Sequence, residues 1–166
     1  SGRSDLGLSI TPPRLSAVHV HEIGDGHLMC VCPPDHELAL LDVVSVTDLN
    51  HVAHISYAAG TPLGQVIDNV FSDQGLERQF FCEVRHTATA LEMARNGLGV
   101  ALVDSFALIG HQTNSIAIRP TKPALQIKMH GITSKLFPTS NIAMQFQAFL
   151  SDYLKHKGAL GTERRS

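Results

Sequence analysis

No apolar run in this chain approaches the roughly 20 residues needed to cross a bilayer, and nothing in it implies a membrane role. Basic excess is missing too: 13 lysines and arginines stand against 15 acidic residues, a net charge of -2 with the histidines neutral. That balance removes the positive footprint expected of a nucleic-acid surface, so this stretch of chain alone is not expected to hold DNA. Disulfide pairing is disfavoured because Cys30, Cys32 and Cys82 are odd in number. Cys30 and Cys32 are also two apart in an extended segment. They read as small apolar strand residues of a cytoplasmic protein, with redox sensing as the alternative.

A metal-ligand set is absent as well. His19 with His21, His51 with His54, and His86 are the candidates, yet none has a third ligand at a fixed spacing, and no Cys pair of zinc-finger type occurs. No metal and no cofactor is expected. Neither G-x-S-x-G nor a phosphate loop appears. An enzyme would have to use His86 or His54 with Asp104 as an acid–base pair, or Cys82, which lacks an activating neighbour in sequence; catalysis is not expected. Internal repeats and low-complexity linkers are likewise missing.

What is present is most legible between Glu83 and Asp104, EVRHTATALEMARNGLGVALVD. A strand from about Phe80 ends at Val84, and His86, Thr87 and Thr89 stand where a helix needs oxygen atoms to cap its free N–H groups. Ala90, Leu91, Met93 and Ala94 favour helix, Gly97 fits a left-handed helix end, and Val100 to Val103 reads as a buried parallel strand. Gly60-Thr61-Pro62 starts another helix, with Thr61 as N-cap and Pro62 in the first position. Leu63, Val66, Ile67, Val70 and Phe71 form its stripe, and Gly75 ends it.

Elsewhere, Asp5 to Ile10 reads as a strand ended by the turn Thr11 to Arg14. Val18 to Ile23 and Leu28 to Cys32 read as strands separated by a turn at Gly24 to His27. Asp35 to Leu41 and Val46 to Leu49 suggest short helical turns, and His54 to Tyr57 a strand. Ser105 to Gly110 suggests a further turn and His111 to Ser115 a loop. Ile116 to Arg119 is a strand closed by Pro120, and Gln126 to Ile132 another. Thr139 or Ser140 caps a last helix whose face is Ile142, Phe146, Phe149, Leu150 and Tyr153. The class is α/β with a mainly parallel sheet.

Three segments carry a resemblance: LMCVCPPDHELA at Leu28 to Ala39, IDNVFSDQGLER at Ile67 to Arg78, and EVRHTATALEMARNGLGVALVD. In this order and separation they resemble the effector-binding domain of LysR-type transcriptional regulators, from DLGLS at Asp5 to Ser9 through the final helix. The resemblance implies two Rossmann-like lobes as in type 2 periplasmic binding proteins, with crossovers near Leu28 to Val31 and Ile127 to Met129. Residues 1–28 plus 128–156 would form lobe one, residues 29–127 lobe two, and 157–166 a flexible tail. A small-molecule effector would bind in the cleft, by family position at Ser9, Thr11, Ser56, Tyr57, Thr61, Pro62, Leu63, Gly64, His86, Thr87 and Asp104. Helix starts at Thr61 to Leu63 and His86 to Thr87 suit a carboxylate, and Asp104 could answer an amine. The family's winged helix-turn-helix, through which it contacts DNA, and the opening run of lobe one are not in this sequence. Lobe one is therefore expected to be incomplete and prone to association or swapping. Homo-oligomers, a dimer or in the full-length protein a tetramer, are the implied partners. A periplasmic solute-binding protein of a transporter is the alternative, which a signal peptide would distinguish.

Overall fold

The computed structural model describes residues 4–13, 15–52, 54–110 and 114–158. The expected tail falls outside them apart from the backbone of its first two residues, as do Arg14 and the first three residues of the 111–115 loop. The chain divides into two compact units, Ser1–Gly26 with Ile127–Ser166, and His27–Gln126. Among the described residues no helix is long and apolar enough to cross a membrane.

The first unit contains β1 (Gly7–Ser9), the first part of β2 (Val18–Cys32), most of β8 (Gln126–Ser134) and α4 (Asn141–Gly158). β1 pairs antiparallel with β8, Leu8 opposite Gly131, and β8 neighbours β2. Ser140 starts α4: its Oγ accepts the Ala143 N–H at 3.3 Å, and its carbonyl accepts that of Met144 at 3.1 Å.

Two expectations fail in this unit. Gly24 to His27 is no turn, because β2 runs unbroken for 15 residues. Its glycine is there for close approach: a Cβ on Gly24 would lie 3.0 Å from Leu154 Cβ and Cδ1, and one on Gly131 only 2.7 Å from Ile23 Cδ1. Missing side chains thus let α4 settle onto the strands, where Ser151 Oγ donates to the Ile23 carbonyl at 2.9 Å. For the same reason the buried face of α4 is Ala143 and Leu154, whereas Ile142, Phe146, Phe149 and Tyr153 are exposed. Periodicity locates an apolar stripe but not what covers it.

The second unit holds β3 (Val44–Ser45), α1 (Val46–Asn50), β4 (His54–Tyr57), α2 (Pro62–Asp73), β5 (Phe80–Val84), α3 (Thr87–Arg95), β6 (Val100–Asp104) and β7 (Ala117–Lys122). Short 3-10 turns lie at Glu37–Leu40 and Ser105–Leu108. β4 runs parallel to both β5 and β6, and β3 parallel to β7. The second part of β2 is antiparallel to β6 on one edge and to β7 on the other. The sheet is therefore mixed rather than mainly parallel, since β2 returns alongside β6 instead of crossing over. β6 is buried along its whole length, as its apolar run between glycines suggested.

Pro120 does not close its strand. It lies within β7 as the last residue registered against β2, opposite Met29, and the β3 pairing begins at Thr121. A residue without an N–H is tolerated where one ladder ends and another starts. Arg119 ties the same strand to the Glu37–Leu40 turn. Its Nε donates to the Leu41 carbonyl at 2.6 Å and its Nη2 to the Ala39 carbonyl.

Candidate functional site

Three parallel strands of the second unit end side by side, β4 at Tyr57, β5 at Val84 and β6 at Asp104, and each hands the chain directly to a helical start. In open α/β sheets this carboxyl edge is where ligands are bound, because helix N-termini converge there with free N–H groups and partial positive charge. The ends are laced together by the Ala58 N–H donating to the Val84 carbonyl at 2.9 Å.

The two helix starts are not equivalent. Thr61 is the N-cap of α2: its Oγ1 accepts the Gly64 N–H at 3.2 Å and donates to the Ala58 carbonyl at 2.9 Å. Pro62 occupies the first turn, and Leu63 and Gly64 are buried. A Cβ on Gly64 would lie 2.7 Å from Thr61 Oγ1, so the glycine keeps the cap intact. The Thr61 hydroxyl is engaged in its own helix.

At α3 the N-cap is His86, exposed, and its side chain makes no cap hydrogen bond. Thr87, expected as a capping residue, is instead the first helical residue, and its Oγ1 donates across to Asp104 Oδ2 at 3.5 Å. The His86 carbonyl accepts the N–H groups of Thr89 and Ala90. The start of α3 is therefore not closed by its own cap side chain, and an acceptor from a ligand suits it.

Asp104 Oδ1 accepts the Ala107 N–H at 3.0 Å, which makes Asp104 the N-cap of the Ser105–Leu108 turn. Burial raises its carboxyl above the usual range, opposed by N–H donation from Ala107 and the Thr87 hydroxyl. Among the described residues the hydroxyl of Tyr57, itself 1% exposed, has no hydrogen-bond partner of good geometry, and the Ser56 hydroxyl is in the same condition. Burial pushes the Tyr57 phenol well up, with the Thr87 hydroxyl opposing and the Asp104 charge adding to the shift. Tyr57, Thr87 and Asp104 are thus one cluster of hydroxyl, hydroxyl and carboxylate beside a helix start. Because the Tyr57 hydroxyl is buried with no well-formed hydrogen bond among the described residues, Tyr57→Phe should leave stability unchanged or raise it by about 1 kcal/mol; chemical denaturation reads this directly.

Ser9 and Thr11 belong to the other unit. Ser9 Oγ accepts the Thr11 N–H at 3.2 Å and donates to the Thr11 carbonyl at 2.7 Å, a local turn. The structure also separates one catalytic pair considered from sequence. His54 opens β4 and registers with Val100, the first residue of β6, whereas Asp104 is its last, about 13 Å along the strand. His54 is buried, its charged form disfavoured by desolvation, and it stacks on Phe71 at 5.5 Å. Burial raises the Cys82 thiol, the opposite of nucleophile activation.

Sequence reading missed two residues. Ser105 Oγ accepts the His27 N–H at 3.1 Å, pinning the first residue of this unit beside the site; only the position of Ser105 after Asp104 hinted at it. Arg78, with a side chain 8% exposed, pairs with Asp68 at 2.8 Å and lies under the Phe80 ring. Nothing in the local pattern marks that arginine as buried.

Comparison with known proteins agrees with this architecture. The chain is 24% identical over 148 residues to the transcriptional activator protein LysR of Escherichia coli K12, covering 89% of this chain and 48% of that protein. It spans about half or less of the length of the curated relatives it matches. Among solved structures, the Synechocystis PCC6803 CcmR regulatory domain in complex with 2-PG superposes with a TM-score of 0.78 at 19% identity, covering 92% of this chain and 74% of that one. The effector binding domain of QuiR in complex with shikimate gives 0.75 at 16% identity, covering 92% and 72%. At these identities the structures speak to fold alone. The model of the LysR substrate binding domain matches residues 1–155, and the chain accordingly belongs to that family.

Proposed function

We propose that this chain is the effector-sensing and oligomerisation portion of a LysR-type DNA-binding transcriptional regulator. Its effector is a small carboxylate, best an amino-acid derivative. The observation that carries the reading is the start of α3, uncapped by its own His86 side chain, standing beside the Tyr57, Thr87 and Asp104 cluster. The helix start takes the carboxylate and the Asp104 carboxylate takes an amine or hydroxyl.

Residues 29–127 then act as the lobe bearing this site, and residues 1–28 with 128–156 as the other lobe, to which Ser9 and Thr11 contribute. Ser56, Tyr57, Thr61, Pro62, Leu63, Gly64, His86, Thr87 and Asp104 are the proposed ligand-binding residues. Thr61, Leu63 and Gly64 serve chiefly to hold the α2 start in place, because the Thr61 hydroxyl is occupied. Effector binding shifts the balance between lobe arrangements, and so acts on a homo-oligomer that meets DNA through a separate winged helix-turn-helix in the cytoplasm. CcmR and QuiR, with their small-molecule complexes, support this reading over a transporter's solute-binding protein. The separated His54 and Asp104 and the raised Cys82 thiol support a domain without catalysis.

A thermal-shift panel of amino acids, their derivatives and aromatic acids tests the proposal. A ligand at 100 times its Kd adds about 2.7 kcal/mol to stability, equivalent to a rise of roughly 5–10 °C in Tm for a domain of this size. A rise abolished by Thr87→Val supports the site. Hits confined to uncharged compounds would remove the carboxylate reading.

A further inference from the structure

At the opposite end of β4 and β5, where His54 and Phe80 open the two strands, the chain closes over an arginine. The Arg78 side chain is 8% exposed, yet only its Nη2 meets a carboxylate, that of Asp68 at 2.8 Å. Its Nε and Nη1 are buried with no hydrogen-bond partner among the described residues. Leaving the donors of a charged group buried and unmade is costly. The end of α2 does not relieve that cost, because its carbonyls are taken by its own turn. Phe71 accepts the N–H groups of Gln74 and Leu76, and Ser72 those of Gln74 and Gly75.

Arg78 lines a recess of about 480 Å³, within the range of about 300–1,000 Å³ for small-molecule sites. Leu76 and Phe80 give it apolar surface: Phe80 is 46% exposed, and the guanidinium carbon lies over its ring at 5.5 Å. Asp68 and Glu77, also in its lining, are exposed to water. His54, stacked on the lining residue Phe71, adds no second charge, since burial foremost and also the Arg78 charge favour its neutral ring. The site is thus one buried cation, a patch of apolar surface and two solvated carboxylates.

Nε and Nη2 lie on the same edge of a guanidinium, the edge that a carboxylate spans with two parallel hydrogen bonds. Asp68, held on α2, reaches Nη2 alone. We propose that the recess binds a small apolar carboxylate, which bridges Nε and Nη2 of Arg78, packs its hydrocarbon part on Leu76 and Phe80, and displaces Asp68. The exchange keeps the charge balance around Arg78, and Asp68, with a side chain 51% exposed, is released to water at little cost. An anion that did not displace it would add a third carboxylate beside Asp68 and Glu77. This site is independent of the cluster at Tyr57, Thr87 and Asp104, from which it is separated by the length of β4, about 10 Å.

Titration of the ¹⁵N-labelled 166-residue chain with benzoate, followed at the Arg78 Nε–H and the amides of Gly75 and Leu76, tests the proposal. The expected result is a saturable shift at all three with a millimolar Kd, the scale for so small a ligand, and none with benzyl alcohol, which keeps the ring and lacks the charge. Asp68→Asn removes the competing carboxylate and should tighten benzoate about fivefold, the factor that one partly exposed ion pair is worth. Arg78→Lys keeps the charge but not the two-donor edge and should weaken binding about tenfold; if that chain fails to fold, Asp68→Asn decides. An Arg78 Nε–H unmoved by benzoate would overturn the proposal and leave Arg78 with a role in folding only. Equal binding of benzyl alcohol, or an Asp68→Asn chain that binds benzoate no more tightly, would overturn it as well. Shifts confined to Thr87 and Ala88 would place benzoate at the start of α3 and sink this site while supporting the other.

Discussion

Asp104→Asn will weaken binding of an amine-bearing effector by about 10- to 100-fold, the loss expected when a hydrogen bond to a charged group worth about 1.5–3 kcal/mol is removed, while leaving the free domain folded. Asparagine keeps an oxygen to accept the Ala107 N–H, which caps the Ser105–Leu108 turn. It removes the buried charge, whose cost shows in the raised carboxyl. The pH dependence follows in sign. A carboxyl whose folded value is raised binds its proton more tightly in the folded state, so the wild-type chain loses stability as pH climbs from the unfolded value near 3.8 through the higher folded one. The asparagine chain lacks that loss. Denaturation at acid and neutral pH should show the difference between variant and wild type moving in the variant's favour as pH rises. Titration calorimetry at neutral pH should show the affinity loss. Equal affinities for both chains would remove Asp104 from the site.

Gly24→Val will destabilise the first unit by about 1–3 kcal/mol, the usual cost of overpacking. Strand propensity argues for the opposite sign, since glycine inside a strand costs about 0.5–1 kcal/mol relative to alanine. Packing wins because a Cβ alone would stand 3.0 Å from two carbons of Leu154, and valine adds two methyl groups more. Leu154→Ala in the same chain should recover part of the loss, giving a coupling of the kind contacting residues show. Denaturant midpoints for the four chains of the cycle measure it. If residue 24 lay in a turn, as the glycine-rich GDGH run suggests, valine would be nearly neutral and the cycle would show no coupling.

That contrast marks where sequence was informative. Local rules worked where the determinant is local: Thr61-Pro62 opening α2, Gly75 and Gly97 with positive φ past their helices, and the glycine-flanked run of β6. They failed where a partner distant in sequence decides. Gly24 looks like a turn until α4, over a hundred residues later, is seen to need the space. Pro120 looks like a strand end until β3 and β7 are seen to pair. The outer stripe of α4 looks like core because periodicity records apolar residues and not their neighbours. Within the site, the hydroxyl of Thr87 looks like a cap until β5 and β6, both parallel to β4 between them, are seen to bring Asp104 beside it, leaving His86 as the cap position.

The central claim, that a small carboxylate binds at the carboxyl ends of β4, β5 and β6, is tested most directly by amide NMR. The ¹⁵N-labelled chain is titrated with the best carboxylate from the thermal-shift panel. The account predicts the largest shifts at the N–H groups of Thr87 and Ala88, with smaller ones at Ala58 and Ala107. Shifts confined to residues 4–26 and 127–158, with the start of α3 unmoved, would contradict it.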